Sequence, residues 1–348
     1  MKIHFPESRI VGGFFEAEKP SNLAQDIFHP QAISVTSGRA CLKQILKSTQ
    51  AKRMYIPFYI CDTVLAVIQE AGAEFKFYKL NEDLTPASLP ELNADELFLY
   101  VNYFGLNSET AEALRVQYGQ QFILDNTQAF FAKGNLETGN PNGWSFNSAR
   151  KFFGVPDGAY LYAPVSLPAT ASQNKTLITE HLTQRTSKKL DQAYQLYLQN
   201  EELISTDWLD MSTYTRAVLE QIDYTEIQAV RQSNFSIYHQ AFGTINKLAL
   251  SSTALALKGK IPFCYPLWLD SPVDRTRLYE HTIFIPTLWK DVLNRSQPGF
   301  ELEKSLSAQL LCLPLDHRYS ESDCHYVIEN IQNLLTPVLN TNRNLRTC

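Results

Sequence analysis

The sequence predicts an α/β fold with a largely parallel sheet, joined to a smaller C-terminal α+β unit. Three observations lead there. Short apolar runs alternate with helix-period segments through the first half, in the order β-α-β-β-α-β. Polar residues, Asp125 among them, follow these runs, where ligands of such sheets gather beyond the carboxyl ends of the strands. The 348 residues, 44% of them hydrophobic, suffice for a large buried core with a second unit attached.

The elements follow in order. Met54 to Pro57 reads as a short buried strand, and Asp62 to Ala71 as a helix with Asp62 as N-cap and Gly72 at its end. Glu74 to Leu80 alternates as a strand does, and Leu97 to Val101 is a second apolar run. Ser108 to Tyr118 is helical, capped by Ser108 and stopped by Gly119, and Phe122 to Leu124 is a strand ending at Asp125. Lys175 to Asn200 and Met211 to Phe242 are long, helix-rich and poor in breakers. Beyond them, Ile261 to Leu269, Ile283 to Pro286 and Leu310 to Leu313 read as strands. Pro272 to His281 is a helix and Ser320 to Leu335 the closing helix. A boundary near Phe242 divides a large unit, 1–242, from a small one, 243–348.

Composition excludes several function classes. The net charge is −5 and there is no basic cluster, which argues against nucleic acid or an anionic membrane as partner. Met1 to Ser8 lacks the basic and apolar stretches of a secretory signal, and no apolar run reaches the length of a membrane span. The six cysteines are scattered without a Cys-x-x-Cys pair and read as reduced thiols of a cytoplasmic protein. The seven histidines show no metal-ligand spacing, so no metal site is expected.

Four segments carry candidate chemistry. Ser37-Gly38-Arg39-Ala40 opens a helix, and free amides at a helix start bind phosphate; an ordinary serine N-cap is the plainer alternative. Asp125 ends a buried strand. Set against a pyridine nitrogen, a carboxylate keeps that nitrogen protonated, and the ring drains electrons from a carbanion, the core of pyridoxal-phosphate chemistry. Gln128 sits in the same turn, within reach of a ring hydroxyl, and for the aspartate alone a loop cap is the simpler account. Lys151 stands between aromatic-rich stretches and before a glycine turn, where desolvation favours the neutral amine. Ser148, three residues earlier, has the spacing to reach the same phosphate. Pro57 to Thr63 follows a strand and opens a helix, and offers an aromatic side chain either to a cofactor face or to the core. Val11-Gly12-Gly13-Phe14-Phe15-Glu16 suits a flexible segment closing over a site, and Trp289 either a site wall or core packing.

The order of these segments resembles that of the DegT/DnrJ/StrS-type family of sugar aminotransferases, which have the aspartate-aminotransferase fold (fold type I). Ser37-Gly38-Arg39-Ala40 is similar to the family's Ser-Gly-Thr-Ala loop, and Pro57 to Gly72 to its Pro-containing strand-to-helix segment. Asp125-Asn-Thr-Gln128-Ala resembles Asp-x-x-Gln-Ala. Lys151 with Asp157-Gly158-Ala159 resembles a lysine followed six residues on by Glu-Gly-Gly. Arg231-Gln-Ser-Asn234 and Leu313-Pro314-Leu315 before Tyr319 to Asp323 match later elements. The chain is a divergent member of this pattern. Arg39 stands where the family has Thr, and the ring-stacking position falls on Cys61, with Tyr59 or Phe58 as substitutes. The serine five residues before the lysine is Phe146, and Thr206 to Ser212 replaces an Asn-Tyr-Arg stretch that reaches the partner's phosphate.

The resemblance implies pyridoxal 5'-phosphate (PLP) as cofactor and a homodimer with shared sites. It implies that Lys151 holds the cofactor covalently and moves the proton at the substrate carbon, that Asp125 pairs with the ring nitrogen, and that Gln128 touches the ring oxygen. Ser37, Gly38, Arg39 and Ser145 or Ser148 would hold the phosphate. The reaction implied is transfer of an amino group from an amino acid, glutamate or glutamine, to a keto sugar on a nucleotide. Two other readings compete: a PLP lyase or dehydratase, and a protein of this fold that binds without turnover. Keeping both a buried acid and a buried lysine argues against the last, because such groups are costly to retain.

Overall fold

The structure, a computed structural model, describes residues 9–19, 27–133, 142–172, 177–248, 257 and 259–344, with side chains to 335. Met1 to Ser8, Lys175 and Cys348 lie outside the described residues.

A seven-stranded sheet forms the centre. In chain order its strands are β2 (Ile33–Val35), β3 (Arg53–Pro57), β4 (Glu74–Tyr78), β5 (Glu96–Val101), β6 (Phe122–Asn126), β7 (Trp144–Asn147) and β8 (Ala159–Tyr162). Their spatial order is β2-β8-β7-β6-β5-β3-β4. β4, β3, β5, β6 and β7 pair in parallel, and β8 runs antiparallel to both its neighbours. Every residue of β5, β6 and β7 is buried, since helices cover both faces of a parallel sheet and these strands need no polar side. Glu96 is tolerated at the start of β5 because Arg53 Nη1 meets its carboxylate at 2.8 Å.

Helices α1 (Gly38–Thr49), α2 (Asp62–Glu70) and α3 (Ser108–Tyr118) connect the strands. Ser37 caps α1, its Oγ accepting the Ala40 amide at 3.1 Å, and Gln50 ends it in the left-handed conformation. The N-cap of α2 is Cys61, one residue before the expected Asp62, which sits in the first turn where its charge complements the helix dipole. The helix-rich middle is broken into α4 (Glu180–Thr186), α5 (Leu190–Leu203), α6 (Thr213–Leu219) and α7 (Tyr224–Phe242). Ser212 and Asp223 cap α6 and α7 through the amides of Thr215 and Glu226, start signals that a periodicity reading passes over.

The C-terminal part holds β9 (Tyr265–Leu267), α8 (Arg275–Glu280), β10 (Ile283–Phe284), α9 (Glu301–Gln309), β11 (Leu311–Leu313) and α10 (Glu321–Asn344). Its core gathers Leu267, Leu278, Leu313 and Ile331 with Phe235, Tyr238 and Phe242 of α7 and with Val11. Phe242, the expected boundary, therefore lies inside this second core.

Val11–Gly12, strand β1, pairs in parallel with β10. The Val11 to Glu16 segment is thus anchored at its start to the C-terminal part. A β-carbon on Gly12 would stand 2.1 Å from the Phe284 carbonyl, and the backbone there takes a φ of +84°, so glycine is what lets the strands meet. Beyond it, Phe14 stacks on Tyr197 at 5.0 Å, Arg318 lies 4.0 Å over the Phe15 ring, and Glu18 accepts the Gly154 amide at 2.6 Å.

Candidate active site

Asp125 is the penultimate residue of β6. It lies in register with Val101 of β5 and Phe146 of β7, so the three side chains share one face of the sheet. It is 5% exposed, and burial raises its carboxyl above the usual range, an effect opposed by Lys151 and by Thr127. Its Oδ1 accepts the Thr127 amide at 2.8 Å.

Lys151 ends a 3-10 turn, Ala149–Lys151, that follows β7. The turn is pinned at its start by the Ala149 amide on the Gly158 carbonyl (3.0 Å) and at its end by the Phe152 amide on the Ala149 carbonyl (2.9 Å). Burial lowers the pKa of the Lys151 amine while Asp125 raises it, and Nζ donates to Thr127 Oγ1 at 2.9 Å. Thr127 therefore stands between acid and amine, its amide donating a hydrogen bond to one and its hydroxyl oxygen accepting one from the other.

The third component is the start of α1. Its first amides, those of Gly38 and Arg39, precede the intrahelical ladder and point out of the helix. A β-carbon on Gly38 would lie 3.3 Å from both the Phe146 ring and the Thr127 methyl, so the helix start is pressed against the Asp125 face of the sheet. Ser37 Oγ is already engaged as the cap and as donor to the Ser205 carbonyl (3.0 Å). Arg39 reaches the Glu201 and Ile204 carbonyls at the end of α5, each at 3.4 Å, and burial lowers its pKa. It thus serves the unsatisfied carbonyls of a helix terminus. Arg150 pairs with Glu201, and both couple electrostatically to Lys151. Cys61, half-buried at the start of α2, also acts on Lys151, and its Sγ accepts the Thr63 hydroxyl at 3.1 Å. Ser148 is half-buried at the N-cap of the 3-10 turn.

Four expected site residues make contacts elsewhere. Tyr59 is fully buried, its ring edge-on to Trp289 at 4.5 Å and stacked on Tyr103 at 5.8 Å, and burial raises the pKa of its hydroxyl well above the ordinary value. Phe58 stacks on Phe300 at 4.0 Å. Both rings, with Trp289, fill the seam between the sheet and the C-terminal part, because the chain turns there before α2. Ser145 is in register with Leu124, on the opposite face from Asp125, so the extra residue before Lys151 sends it away from the helix start. Gln128 is 1% exposed, and its Oε1 accepts the Phe104 amide at 2.9 Å, steadying a turn where Phe104 has a φ of 57°.

The remaining motif residues build the scaffold. Arg231 bonds the Pro262 and Phe263 carbonyls at 3.2 and 3.1 Å, and its guanidinium lies 4.6 Å over the ring of Phe152, next to Lys151. Asn234 donates to the Leu315 and Tyr319 carbonyls. Asp157 takes the Ser212 amide (2.8 Å) and hydroxyl (2.7 Å), which ties the replaced stretch to the lysine loop. Thr127, Arg150 and Glu201 are the site residues that sequence reasoning missed. Thr127 was legible as the residue leaving the Asp125 strand; Glu201 lies 50 residues from Lys151, with no spacing to betray it. Among the described residues no group of three or more His, Cys, Asp or Glu is placed to hold a metal ion, and no helix is long and apolar enough to cross a membrane.

No family model matches the chain, and no curated protein matches it in sequence. Solved structures do. An aminotransferase from Streptoalloteichus hindustanus, TlmJ, superposes with a TM-score of 0.66 over 95% of this chain and 100% of its own, at 14% identity. A candidate sugar aminotransferase from Streptococcus pneumoniae, in its PLP form, gives 0.59 over 94% of each chain at 13% identity. A DegT DnrJ EryC1 StrS aminotransferase from Brucella abortus gives 0.56 over 88% of this chain and 86% of its own, at 14% identity. At this level of identity the likeness is one of fold, and the fold of this chain is the one these aminotransferases share.

Proposed function

We propose that this chain is a PLP-dependent aminotransferase that moves an amino group from an amino acid, glutamate or glutamine, to a keto sugar carried on a nucleotide. The observation behind this reading is the buried Asp125 and the half-buried Lys151, both in contact with Thr127 at the carboxyl ends of β6 and β7, beside the open start of α1. The fold shared with sugar aminotransferases supports it.

The groups present fit a pyridine ring with an anionic tail. A buried carboxylate suits the ring nitrogen, and a desolvated amine suits the ring's carbonyl carbon. The Gly38 and Arg39 amides suit the phosphate, with Arg39 and Arg150 supplying positive charge. Bound PLP supplies an electron sink for the carbanion formed at the amino acid's α-carbon. Asp125 holds the ring nitrogen protonated, so that the sink is effective. Lys151, its amine held toward the neutral form by burial, takes and returns the proton at the substrate carbon. Gly38 lets the start of α1 sit close against Phe146 and Thr127, beside Asp125.

The test is the visible spectrum of purified protein with PLP, for wild type and Lys151→Ala, before and after glutamate. The reading expects a yellow absorbance in wild type that bleaches with glutamate and is missing in the variant. A wild type that stays colourless ends it. Bleaching with release of product but no need of a keto acceptor would point to a lyase.

A further inference from the structure

We propose that the groove along α3, on the face of the sheet opposite Asp125, is a second binding site, which takes a small carboxylate with a flat apolar body and holds it through Arg115. The proposal is independent of the reading of Lys151 and PLP.

The groove has a volume of about 860 Å³, within the range of small-molecule sites. Leu124 and Asn126 of β6 line it. They flank Asp125, and successive residues of a strand face opposite ways, so the sheet itself separates the groove from the Asp125 face. Ser108, Ala111, Glu112 and Arg115 line it from α3, at the spacing of one helix face. Phe28 and Phe131 supply aromatic surface, edge to face at 5.4 Å, in an apolar cluster that includes Ile261.

The neighbouring polar groups find partners within the protein. Asn102 Nδ2 donates to Asn126 Oδ1 at 3.0 Å, and Asn102 Oδ1 accepts the Asn107 amide at 3.1 Å. Gln228 Nε2 donates to the Tyr224 carbonyl at 2.9 Å. Lys260 Nζ donates to the Leu106 carbonyl at 2.9 Å and pairs with Glu109, and Lys133 lies 5.5 Å over the Phe28 ring. Arg115 is different. Its side chain is 5% exposed, the half-exposed Glu112 meets its Nη1 at 3.4 Å, and among the described residues its buried Nε has no hydrogen-bond partner. A basic residue in the last turn of a helix complements the dipole from solvent, whereas Arg115 is buried and its guanidinium desolvated. The Nε–H edge of a guanidinium is the one that pairs with both oxygens of a carboxylate. Charge favours the same ligand. Arg115, Lys133 and Lys260 line the groove against Glu109 and Glu112, three cations against two carboxylates, so one further carboxylate balances them. A flat apolar body suits the rings of Phe28 and Phe131.

The experiment is calorimetric titration of the full chain, without PLP and then with it, using 2-naphthoate and 2-naphthamide, which has the same rings and no charge. The acid is expected to bind at a single site, and the amide about tenfold more weakly or worse, the size of one hydrogen bond to a charged group. Arg115→Met keeps the stem and removes the charge, and is expected to erase the preference for the acid. Ala132→Phe fills the groove from a half-buried position and is expected to weaken both compounds. A wild type that takes up neither compound at millimolar concentration overturns the proposal. Equal affinity for acid and amide does so too, as does an Arg115→Met protein that binds the acid as tightly as wild type. Loss of acid binding when PLP is added also overturns it, since that places the anion at the start of α1. Should Arg115→Met not fold, the Ala132→Phe titration decides, and acid binding equal to wild type ends the proposal. A protein that stays colourless with PLP and still binds 2-naphthoate through Arg115 fails the functional reading and keeps this one.

Discussion

The Lys151 site and the seam at Phe58 to Asp62 use burial in opposite ways. In the seam, burial is spent on closure. Phe58 stacks on Phe300, Tyr59 meets Trp289, and Arg295 reaches the Phe58 and Ile60 carbonyls and the Asp62 carboxylate, so the backbone leaving β3 is tied to the C-terminal part. At the Lys151 site, burial surrounds groups that work against it. Burial pushes the Asp125 carboxyl up and the Lys151 amine down, each shift partly restored by the charge of the other. Similar desolvation gives rigidity where the groups are apolar and tunable acidity where they are ionisable.

Substitutions separate the two regions, beginning with the largest expected effect. Lys151→Ala should cut transamination by about 10⁴-fold or more, since one group supplies both attachment and proton transfer. Its urea midpoint should not fall, because the change removes a desolvated amine; a large loss of stability would show Lys151 to be structural. Asp125→Asn should lower turnover by roughly 10²-fold through loss of the charge facing the ring nitrogen. Stability should be kept, as the amide oxygen still accepts the Thr127 N–H.

In the seam the pattern reverses. Phe58→Ala should cost about 3–5 kcal/mol in chemical denaturation, the range for emptying a buried aromatic site. The absorbance of the PLP-loaded protein should keep its maximum; a shifted maximum would mean that the ring does touch the cofactor.

His29 sharpens the comparison from a third position. It is 1% exposed, its Nε2–H donates to the Phe130 carbonyl at 2.8 Å, and its Nδ1 lies 2.7 Å from the Tyr162 hydroxyl, bonds that the neutral ring satisfies. Burial pushes its pKa from 6.5 down to about 3. The unfolded chain therefore binds a proton below pH 6.5 that the native state refuses. The stability present above pH 6.5 is lost as pH falls, at about 1.4 kcal/mol per unit between pH 6.5 and 5, where carboxylates are still ionised. Melting curves across that window should show the slope, and His29→Gln should flatten it.

The smallest effect belongs to Tyr59→Phe. The Tyr59 hydroxyl is buried without a hydrogen-bond partner, so its removal should be neutral or stabilising by up to about 1 kcal/mol, with the spectrum unaltered. A loss of PLP absorbance here would restore Tyr59 to the site.

Much of the site was legible because its signals are local. A cap serine before Gly38, an aspartate ending an apolar run and a lysine before a glycine turn each follow from chain geometry over a few residues, and their order along the chain pointed to one sheet edge. The strands β3, β5 and β6 were equally plain, being short apolar runs between polar turns. Side-chain direction was not. Ser145 and Phe146 are adjacent and both suit a strand, but which of them faces Asp125 depends on the register of β7 against β6, a long-range pairing in which one step exchanges the faces. Tyr59 and Cys61 posed the same question, answered by packing against Trp289 from more than 200 residues away.

The sequence by itself determined the class of the fold, the positions of Asp125 and Lys151 at the exits of neighbouring strands, and the free helix start at Gly38, since propensity, capping and periodicity act within a few residues. The tertiary structure alone decided that Thr127 joins the acid to the amine, that Glu201 meets Arg150 beside them, that Val11 is stitched to Ile283, and that Phe58 and Tyr59 belong to the seam. These are choices among partners distant along the chain, and close packing, strand register and the need to pair buried polar groups make them together.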